Sequence, residues 1–246
     1  NSPKLWSVSS PNLYTMRVKI YNASNEEIDR YDTDFGYRTT YWDASTGFYL
    51  NGESTKLKGV CLHSDSGALG AVQNYDAIYR QMTILKDMGV NAVRTSHNVA
   101  SQTFIDVCND IGMLVMEEFF DGWDSPKNGN TNDFSRYFSV KIDSQNNLVD
   151  KKADETWAQF VVDQTVKRDR NSPSIIIWSA GNEIMLATSS ANYGTIASNI
   201  KTWVSSLDSR PLTQGNNMRG STGVLATVDG YMDVIGGNYY PASWVN

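Results

Sequence analysis

The chain has 246 residues, of which 40% are hydrophobic and 20% charged, and its net charge is −6. Its basic residues are scattered, which excludes the clustered positive charge of a nucleic-acid-binding protein. No stretch approaches the roughly 18 apolar residues that a membrane span requires, and two cysteines, Cys61 and Cys108, are too few for a disulfide framework. We therefore expect a globular chain with two buried free thiols. Because it opens with Asn1 rather than Met, we also expect a segment of a longer polypeptide.

The first 40 residues are typical of β-strands. In the stretch 14–22, Tyr14, Met16, Val18 and Ile20 on one face alternate with polar residues on the other, a pattern that predicts a β-strand. A turn, NASNEE, follows. These residues predict the end of an antiparallel β domain that is too short to bury a core alone.

After residue 40, short apolar runs alternate with segments of helical periodicity. Helical spacing covers 78–85 before Gly89, 104–111 before Gly112 and 196–207 before Pro211. The strand-like runs are 57–63, 91–97, 114–120, 175–182, 211–215 and 234–240. This alternation predicts a parallel sheet covered by helices.

Two parallel architectures compete, a doubly wound nucleotide fold and a (β/α)8 barrel. The first should carry a G-x-G-x-x-G loop after its first strand, but GVCLHSDSGALG does not match that pattern. The second places polar residues at the C-terminal ends of many strands, and five such residues occur here: His63, His97, Glu118, Glu183 and Tyr239. We therefore predict an α/β fold, a (β/α)8 TIM barrel of which about six of eight units are present, with His97 and Glu183 at the same end.

The interval 121–150 is rich in Asn, Asp, Ser and Gly and has no sustained period. We predict an irregular loop over the barrel mouth that shapes the leaving-group side of the site. A disordered insertion is the alternative.

The stretch IIIWSAGNEI (175–184) carries a buried strand directly onto Asn182 and Glu183. A carboxyl group at a strand end suits general acid catalysis, although it also suits a structural ion pair. Metal-assisted hydrolysis is disfavoured because the only two histidines lie on different strands, and a Ser-His-Asp site lacks a G-x-S-x-G motif. Carboxylate-driven sugar chemistry remains.

With these residues, the chain resembles glycoside hydrolase family 2, the β-galactosidase, β-glucuronidase and β-mannosidase family. Six motifs match in order: FGYR (35–38), LNGESTKLKGVCLH (50–63), GVNAVRTSHN (89–98), MEEFFDGW (116–123), IIIWSAGNEI (175–184) and GGNYYP (236–241).

The resemblance implies the end of an immunoglobulin-like β-sandwich over residues 1–40 and the catalytic barrel over 41–246, incomplete at its C-terminal end. It implies that Glu183 is the general acid/base, that Asn182 binds the sugar 2-hydroxyl, and that Tyr239 bonds the nucleophile. Arg94 would support the acidic cluster. The residues expected around the sugar are His63, His97, Glu118, Asp121 and Trp123. The alternatives are a buried ion-pair partner for Arg94, hydrogen-bonded strand-end residues for the two histidines, and packing under a loop for Trp123.

The sequence also departs from the family pattern. Val99 stands where Pro is common, and FFDGWD replaces the magnesium-binding segment of bacterial β-galactosidases. We therefore expect no metal and no cofactor. The nucleophilic glutamate is expected beyond residue 246, so the segment alone should be inactive.

Within the family, LHSDSGALG (62–70) is similar to the galactosidase branch. We expect a retaining hydrolase of terminal β-galactosides on oligosaccharides or glycoconjugates. The alternatives are β-glucuronide or β-mannoside hydrolysis, or a noncatalytic carbohydrate-binding relic. A homo-oligomer of the whole protein stays open, as does the compartment, whether bacterial cytoplasm, periplasm or secreted.

Overall fold

A computed structural model describes residues 2–148, 150–184, 192–217 and 224–239. The chain forms two compact units. The first comprises residues 1–93, 101–115 and 169–176, and the second comprises 94–100, 116–168 and 177–246. The last residues of the predicted strand and motif at 234–241, Tyr240 and Pro241, lie outside the described residues.

The first unit opens with an antiparallel pair, β1 (Tyr14–Tyr21) and β2 (Glu27–Phe35). Arg17 and Asp32 lie opposite each other and form an ion pair at 2.7 Å. The apolar side chains Met16 and Val18 are more than half exposed. The predicted strand at 14–22 is confirmed.

A second antiparallel sheet in the first unit was not predicted. It consists of β3 (Thr40–Asp43), β4 (Gly47–Leu50) and β5 (Glu53–Ser54). Phe48 and Leu50 on β4 are the only buried residues of this sheet. Because aromatic Tyr49 stands between them, the sequence lacks the alternation of apolar and polar residues that would have identified the strand.

The main sheet has six parallel strands whose spatial order follows the chain. A doubly wound sheet reverses its strand order at a switch point, so this order confirms the prediction of a partial barrel. The strands are β6 (Gly59–Leu62), β7 (Ala92–Thr95), β8 (Leu114–Glu118), β9 (Ile175–Asn182), β10 (Leu212–Asn216) and β11 (Val234–Gly237).

Helices connect these strands. They are α1 (Tyr75–Asp87), α2 (Gln102–Ile111), α3 (Ser135–Phe138), α4 (Trp157–Asp169), α5 (Tyr193–Ser205) and α6 (Val224–Asp229), with a short 3-10 helix at Gly67–Leu69. The predicted helices correspond to α1, α2 and α5. Asn74 and Ser101 cap α1 and α2 by accepting hydrogen bonds from backbone N–H groups.

The helix α4 was not predicted, because polar side chains interrupt its buried face. Val162 and Val166 are fully buried at helical spacing, but Asp163 and Asp169 are buried with them. Periodicity of apolar residues is the main sequence signal for a helix, and these aspartates remove it.

Burial along the main sheet depends on the position of the strand. All eight residues of β9, which lies between β8 and β10, are buried, as expected for a strand covered on both faces. Cys108 on α2 is buried, but Cys61 on β6 is exposed, so the expectation of two buried thiols is wrong. The physical reason is that β6 is the edge strand of the described sheet.

The interval 121–150 is irregular, as predicted, apart from the single turn α3. Aromatic contacts hold its centre, since Phe120 stacks on Phe134 at 5.5 Å and meets Phe138 edge-on at 5.1 Å. Near its end, Lys141 and Thr156 form an isolated antiparallel bridge. The backbone N–H of Ile142 also donates to the carbonyl of Glu155 at 2.8 Å.

Gly112 ends α2 in a left-handed conformation, with φ of 75°. A Cβ there would lie 2.6 Å from the carbonyl oxygen of Val8. We expect Gly112→Ala to destabilise the protein through backbone strain of about 1–2 kcal/mol and overpacking of about 1–3 kcal/mol. Gly129 has the same φ of 75° and no atom within 4 Å of such a Cβ, so Gly129→Ala isolates the strain. Thermal unfolding of both variants checks this; equal losses would contradict the predicted clash.

Candidate active site

The C-terminal ends of the parallel strands bring polar side chains together in the second unit. His97 follows β7, Glu118 ends β8 and Asn182 ends β9. Glu183 comes directly after β9, and Asn238 comes directly after β11. A continuous chain of hydrogen bonds joins these five side chains through Arg94. The expectation that His97 and Glu183 lie at the same end of the sheet is therefore confirmed.

Glu118 is the buried centre of this network. Its carboxylate accepts hydrogen bonds from Arg94 Nε at 2.9 Å and Nη2 at 2.6 Å, and from the Ser179 hydroxyl at 2.7 Å. His97 Nδ1 lies 2.6 Å from its other oxygen. The side chain is 0% exposed, so this anionic group is compensated by protein partners, as a buried charge must be.

Arg94 links the buried carboxylate to the residues beside Glu183. Its Nη2 donates to Asn182 Oδ1 at 2.9 Å, and its Nη1 donates to Asn238 Oδ1 at 3.3 Å. The guanidinium passes β10 at Gly215, where a Cβ would lie 2.7 Å from Arg94 Nη2. A glycine at this position therefore leaves the space that Arg94 occupies.

Glu183 is held through both its side chain and its backbone. Asn238 Nδ2 donates to Glu183 Oε1 at 2.9 Å and to Asn182 Oδ1 at 2.8 Å. The backbone N–H of Glu183 donates to the carbonyl of Gly215 at 2.7 Å. Glu183 has a φ of 45°, a left-handed conformation that is rare for a non-glycine residue and is found at functional sites.

Asp121 and Lys127, in the irregular loop, complete the network on the other side of Asn182. Asn182 Nδ2 donates to Asp121 Oδ1 at 3.1 Å, and Lys127 Nζ donates to the same oxygen at 2.6 Å. Lys127 Nζ also donates to the backbone carbonyl of Asn182 at 3.0 Å. The Asn182 amide is thus fixed in one orientation by partners on both its oxygen and its nitrogen.

Asp133 anchors the loop beneath Lys127. Its carboxylate accepts hydrogen bonds from the backbone N–H of Lys127 and from the backbone N–H and hydroxyl of Ser135. Burial opposes ionisation of Asp133, but these hydrogen bonds outweigh it and lower the pKa of Asp133 below its usual value. The charged form of Asp133 therefore stabilises this part of the loop.

A cavity of about 400 Å³ opens beside His97 and Asp121. Its walls are mainly apolar, with Phe119, Phe120 and Phe134 among the lining residues. An apolar cavity with a few polar groups at one side is typical of a small-molecule site.

Two residues expected around the sugar are buried among protein atoms. Glu118 is enclosed by its partners, and Trp123 is 1% exposed, with its indole N–H bonded to the carbonyl of Ala180 at 2.9 Å. Trp123 also meets Tyr193 edge-on at 5.8 Å. Within the described residues neither side chain forms part of the exposed surface, and the burial of Trp123 agrees with the packing alternative.

The remaining candidates occupy different surroundings. Tyr239 follows Asn238, and its side chain is exposed. His63 follows β6 and belongs to the first unit, whereas the network described above belongs to the second. Asn238 and Lys127 were not predicted. Asn238 stands in the GGNYYP motif, whereas nothing in the polar stretch around Lys127 marks it in the sequence.

The described residues also bear on metal binding and on membrane spans. No three His, Cys, Asp or Glu side chains among them are grouped as a metal ion would require. None of the helices in the described ranges is long and apolar enough to cross a membrane.

Comparison with known proteins identifies the family. Residues 44–244 match the model for the TIM barrel domain of glycosyl hydrolases family 2, and residues 1–38 match a second model of that family. Over 97% of the present chain, the sequence is 36% identical to a beta-galactosidase of Bacteroides ovatus. Over 73% of the present chain, it is 34% identical to a beta-glucuronidase of Streptococcus agalactiae.

The same family occurs among solved structures. A family 2 member from Bacteroides cellulosilyticus superposes with a TM-score of 0.82 and 34% identity, over 96% of this chain and 28% of that one. The chain spans only 29% of the Bacteroides ovatus protein and 28% of the Streptococcus agalactiae protein. The matched barrel model alone covers most of the described residues, and the chain therefore belongs to glycosyl hydrolases family 2.

Proposed function

We propose that the whole protein is a retaining β-glycosidase in which Glu183 is the general acid/base. The observation that carries the proposal is the position of Glu183, whose carboxyl group is held by Asn238 at 2.9 Å beside Asn182 at the end of β9. A carboxyl group held at the mouth of a barrel can transfer a proton to a bound substrate.

In the proposed reaction, Glu183 donates its proton to the glycosidic oxygen while a second carboxylate attacks the anomeric carbon and the aglycone leaves. Glu183 then removes a proton from water, the resulting hydroxide attacks the anomeric carbon, and the nucleophile is released. The second carboxylate belongs about 5–5.5 Å from Glu183, the separation of a retaining pair. Tyr239 would donate its hydroxyl proton to that carboxylate in a hydrogen bond.

The surrounding residues have separate roles in this proposal. Asn182 and Asp121 bind sugar hydroxyls, with the Asn182 amide oriented by Arg94 and Asp121. His97 contacts the sugar from the edge of the cavity. Glu118 positions His97 and Arg94 through its hydrogen bonds to both. The apolar cavity wall formed by Phe120 and Phe134 would receive the aglycone.

A β-galactoside is the proposed substrate. The galactosidase-like stretch LHSDSGALG supports it, as does similarity to a protein named beta-galactosidase. A glucuronide carries a carboxylate that needs a cation, but Arg94 and Lys127 already pair with Glu118 and Asp121. Similarity to beta-glucuronidases keeps β-glucuronide hydrolysis as the alternative, with β-mannoside hydrolysis also in the family.

Kinetics of the whole protein on the 4-nitrophenyl β-glycosides of galactose, glucuronic acid and mannose test the proposal. We expect the highest kcat/KM for the galactoside, because Arg94 and Lys127 are engaged by protein carboxylates and the neutral hydroxyls match Asn182 and Asp121. A faster glucuronide would overturn the galactoside assignment while keeping the glycosidase. Sugar binding without turnover of any of the three would support the noncatalytic alternative instead.

A further inference from the structure

Lys127 makes contacts unlike those of an ordinary surface lysine. It lies in the irregular loop after β8, and its side chain is only 10% exposed. Lysine is rarely buried unless it is paired. Its ammonium lies 2.6 Å from Asp121 Oδ1, and it also donates to a main-chain acceptor, the carbonyl of Asn182, at 3.0 Å.

That carbonyl belongs to the peptide unit that joins Asn182 to Glu183. The N–H group of the same unit donates to the carbonyl of Gly215 at 2.7 Å. The peptide plane is therefore held at its oxygen by Lys127 and at its nitrogen by β10. The φ angle of Glu183 describes rotation of this plane about the N–Cα bond of Glu183, so both contacts restrain that angle.

The conformation of Glu183 explains why such a clamp matters. A left-handed φ of 45° persists in a non-glycine residue only where the surroundings hold it. If the peptide plane rotates toward an ordinary φ, the direction of the Glu183 side chain changes with it. The hydrogen bond from Asn238 Nδ2 to Glu183 Oε1, at 2.9 Å, would then be lost.

We propose that Lys127 is a positioning residue for the general acid/base: its ammonium fixes the Asn182–Glu183 peptide and so aims the Glu183 carboxyl group. Lys127 itself touches no reacting atom, and the proposal rests on the function proposed for Glu183. Asp121 has a part in it as well, because its carboxylate holds the ammonium against the peptide carbonyl.

The test is Lys127→Met in the whole protein, measured on phenyl and 2,4-dinitrophenyl glycosides of the sugar that is turned over fastest. A phenolate needs a proton to leave, whereas 2,4-dinitrophenolate does not. We expect kcat/KM to fall about 10–10²-fold for the phenyl glycoside, since small misplacements of a catalytic group can cost about 10²-fold. The loss on the dinitrophenyl glycoside should be several-fold smaller.

Lys151→Met is the matched control. Lys151 lies directly after the same interval and also donates to a backbone carbonyl, that of Asp143 at 2.8 Å, but this contact is exposed. We expect it to change neither rate. Lys127→Gln keeps an N–H donor without the charge, and should give a smaller loss with the same dependence on the leaving group.

Glu183→Gln, measured on the same two substrates, separates the two proposals. If it shows no dependence on the leaving group, the function proposed for Glu183 fails. If it does show that dependence but Lys127→Met lowers both rates equally, Lys127 supports only the fold and the positioning role is overturned. Failure of both Lys127 variants to fold would overturn it in the same way.

Discussion

Glu183→Gln in the whole protein should lower the turnover of glycosides with poor leaving groups by about 10²–10⁴-fold, the usual contribution of general acid catalysis. The amide keeps the shape of the side chain and an oxygen that can accept the hydrogen bond from Asn238 Nδ2, at 2.9 Å in the structure. It has no acidic proton to give to the glycosidic oxygen. The loss should therefore come from the chemical step and not from a collapsed site.

The pattern across substrates makes this prediction specific. Activated aryl glycosides need no proton for departure of the aglycone, so their first step should suffer much less. The second step still needs a base to deprotonate water, and added azide should restore turnover by attacking the glycosyl-enzyme directly. Product analysis checks the two-step mechanism, because it should detect a β-glycosyl azide.

Glu155→Gln is the control for loss of a carboxylate from the same unit. Glu155 is 2% exposed and accepts a hydrogen bond from the backbone N–H of Lys152 at 2.9 Å. Its replacement should affect stability without any dependence on the leaving group. Full activity of Glu183→Gln on lactose, or an azide effect equal to that on Glu155→Gln, would contradict the assigned role.

Arg94→Met should destabilise the protein by about 3–5 kcal/mol, because breaking a buried ion pair leaves an uncompensated charge. Glu118 is 0% exposed and receives two of its hydrogen bonds from Arg94. Activity should fall together with stability, since Asn182 Oδ1 loses one of its two donors and keeps only Asn238 Nδ2. Thermal unfolding and glycoside kinetics measure the two effects separately.

The double variant Arg94→Met with Glu118→Gln distinguishes the orphaned charge from lost packing. Removing the negative charge should recover part of the stability, because an amide is less costly to bury than an unpaired carboxylate. Activity should stay low, because neither substitution restores the hydrogen bond from Arg94 to Asn182 Oδ1. Equal stability of the single and double variants would show that the charge of Glu118 is not the source of the loss. Arg17→Met, which breaks an exposed pair with Asp32, should change stability little.

The strands of the main sheet were predictable because their residues report burial directly. The run from Ile175 to Trp178 is apolar without interruption, and every residue of β9 is buried. Polar residues at the strand ends also indicated where the site lies. Helix α4 escaped prediction because Asp163 and Asp169 are buried beside its apolar residues. Asp163 pairs with Lys152, which precedes the helix, and the periodicity of apolar residues cannot register such a partner.

The individual contacts of the site were less predictable than its location. Lys127 stands in a polar stretch where one lysine resembles any other, and only the folded loop brings it to the Asn182 carbonyl. The role of Gly215 was equally unpredictable, because a side chain is excluded there only by the Arg94 guanidinium that lies beside it in the folded chain. Trp123 was expected near the sugar because of the family resemblance, and nothing in the sequence indicated that its indole N–H donates to the carbonyl of Ala180. Exposure of Cys61 reflects the place of β6 in the strand order, a property of the assembled sheet.

The bridge between Lys141 and Thr156 has a consequence for how this protein can be altered. The backbone N–H of Ile142 donates to the carbonyl of Glu155 at 2.8 Å, and that of Trp157 donates to the carbonyl of Val140 at 3.0 Å. With the bridge, these hydrogen bonds close the base of the polar loop that runs from residue 143 to residue 154. Once a loop is closed in this way, doubling its length costs only about 0.6 kcal/mol of closure entropy. The exposed residues 143–147 of this loop are therefore a suitable insertion point for a short recognition peptide or an extra binding module. Such an insertion would leave the hydrogen bonds of Asp121 and Lys127 with Asn182 in place.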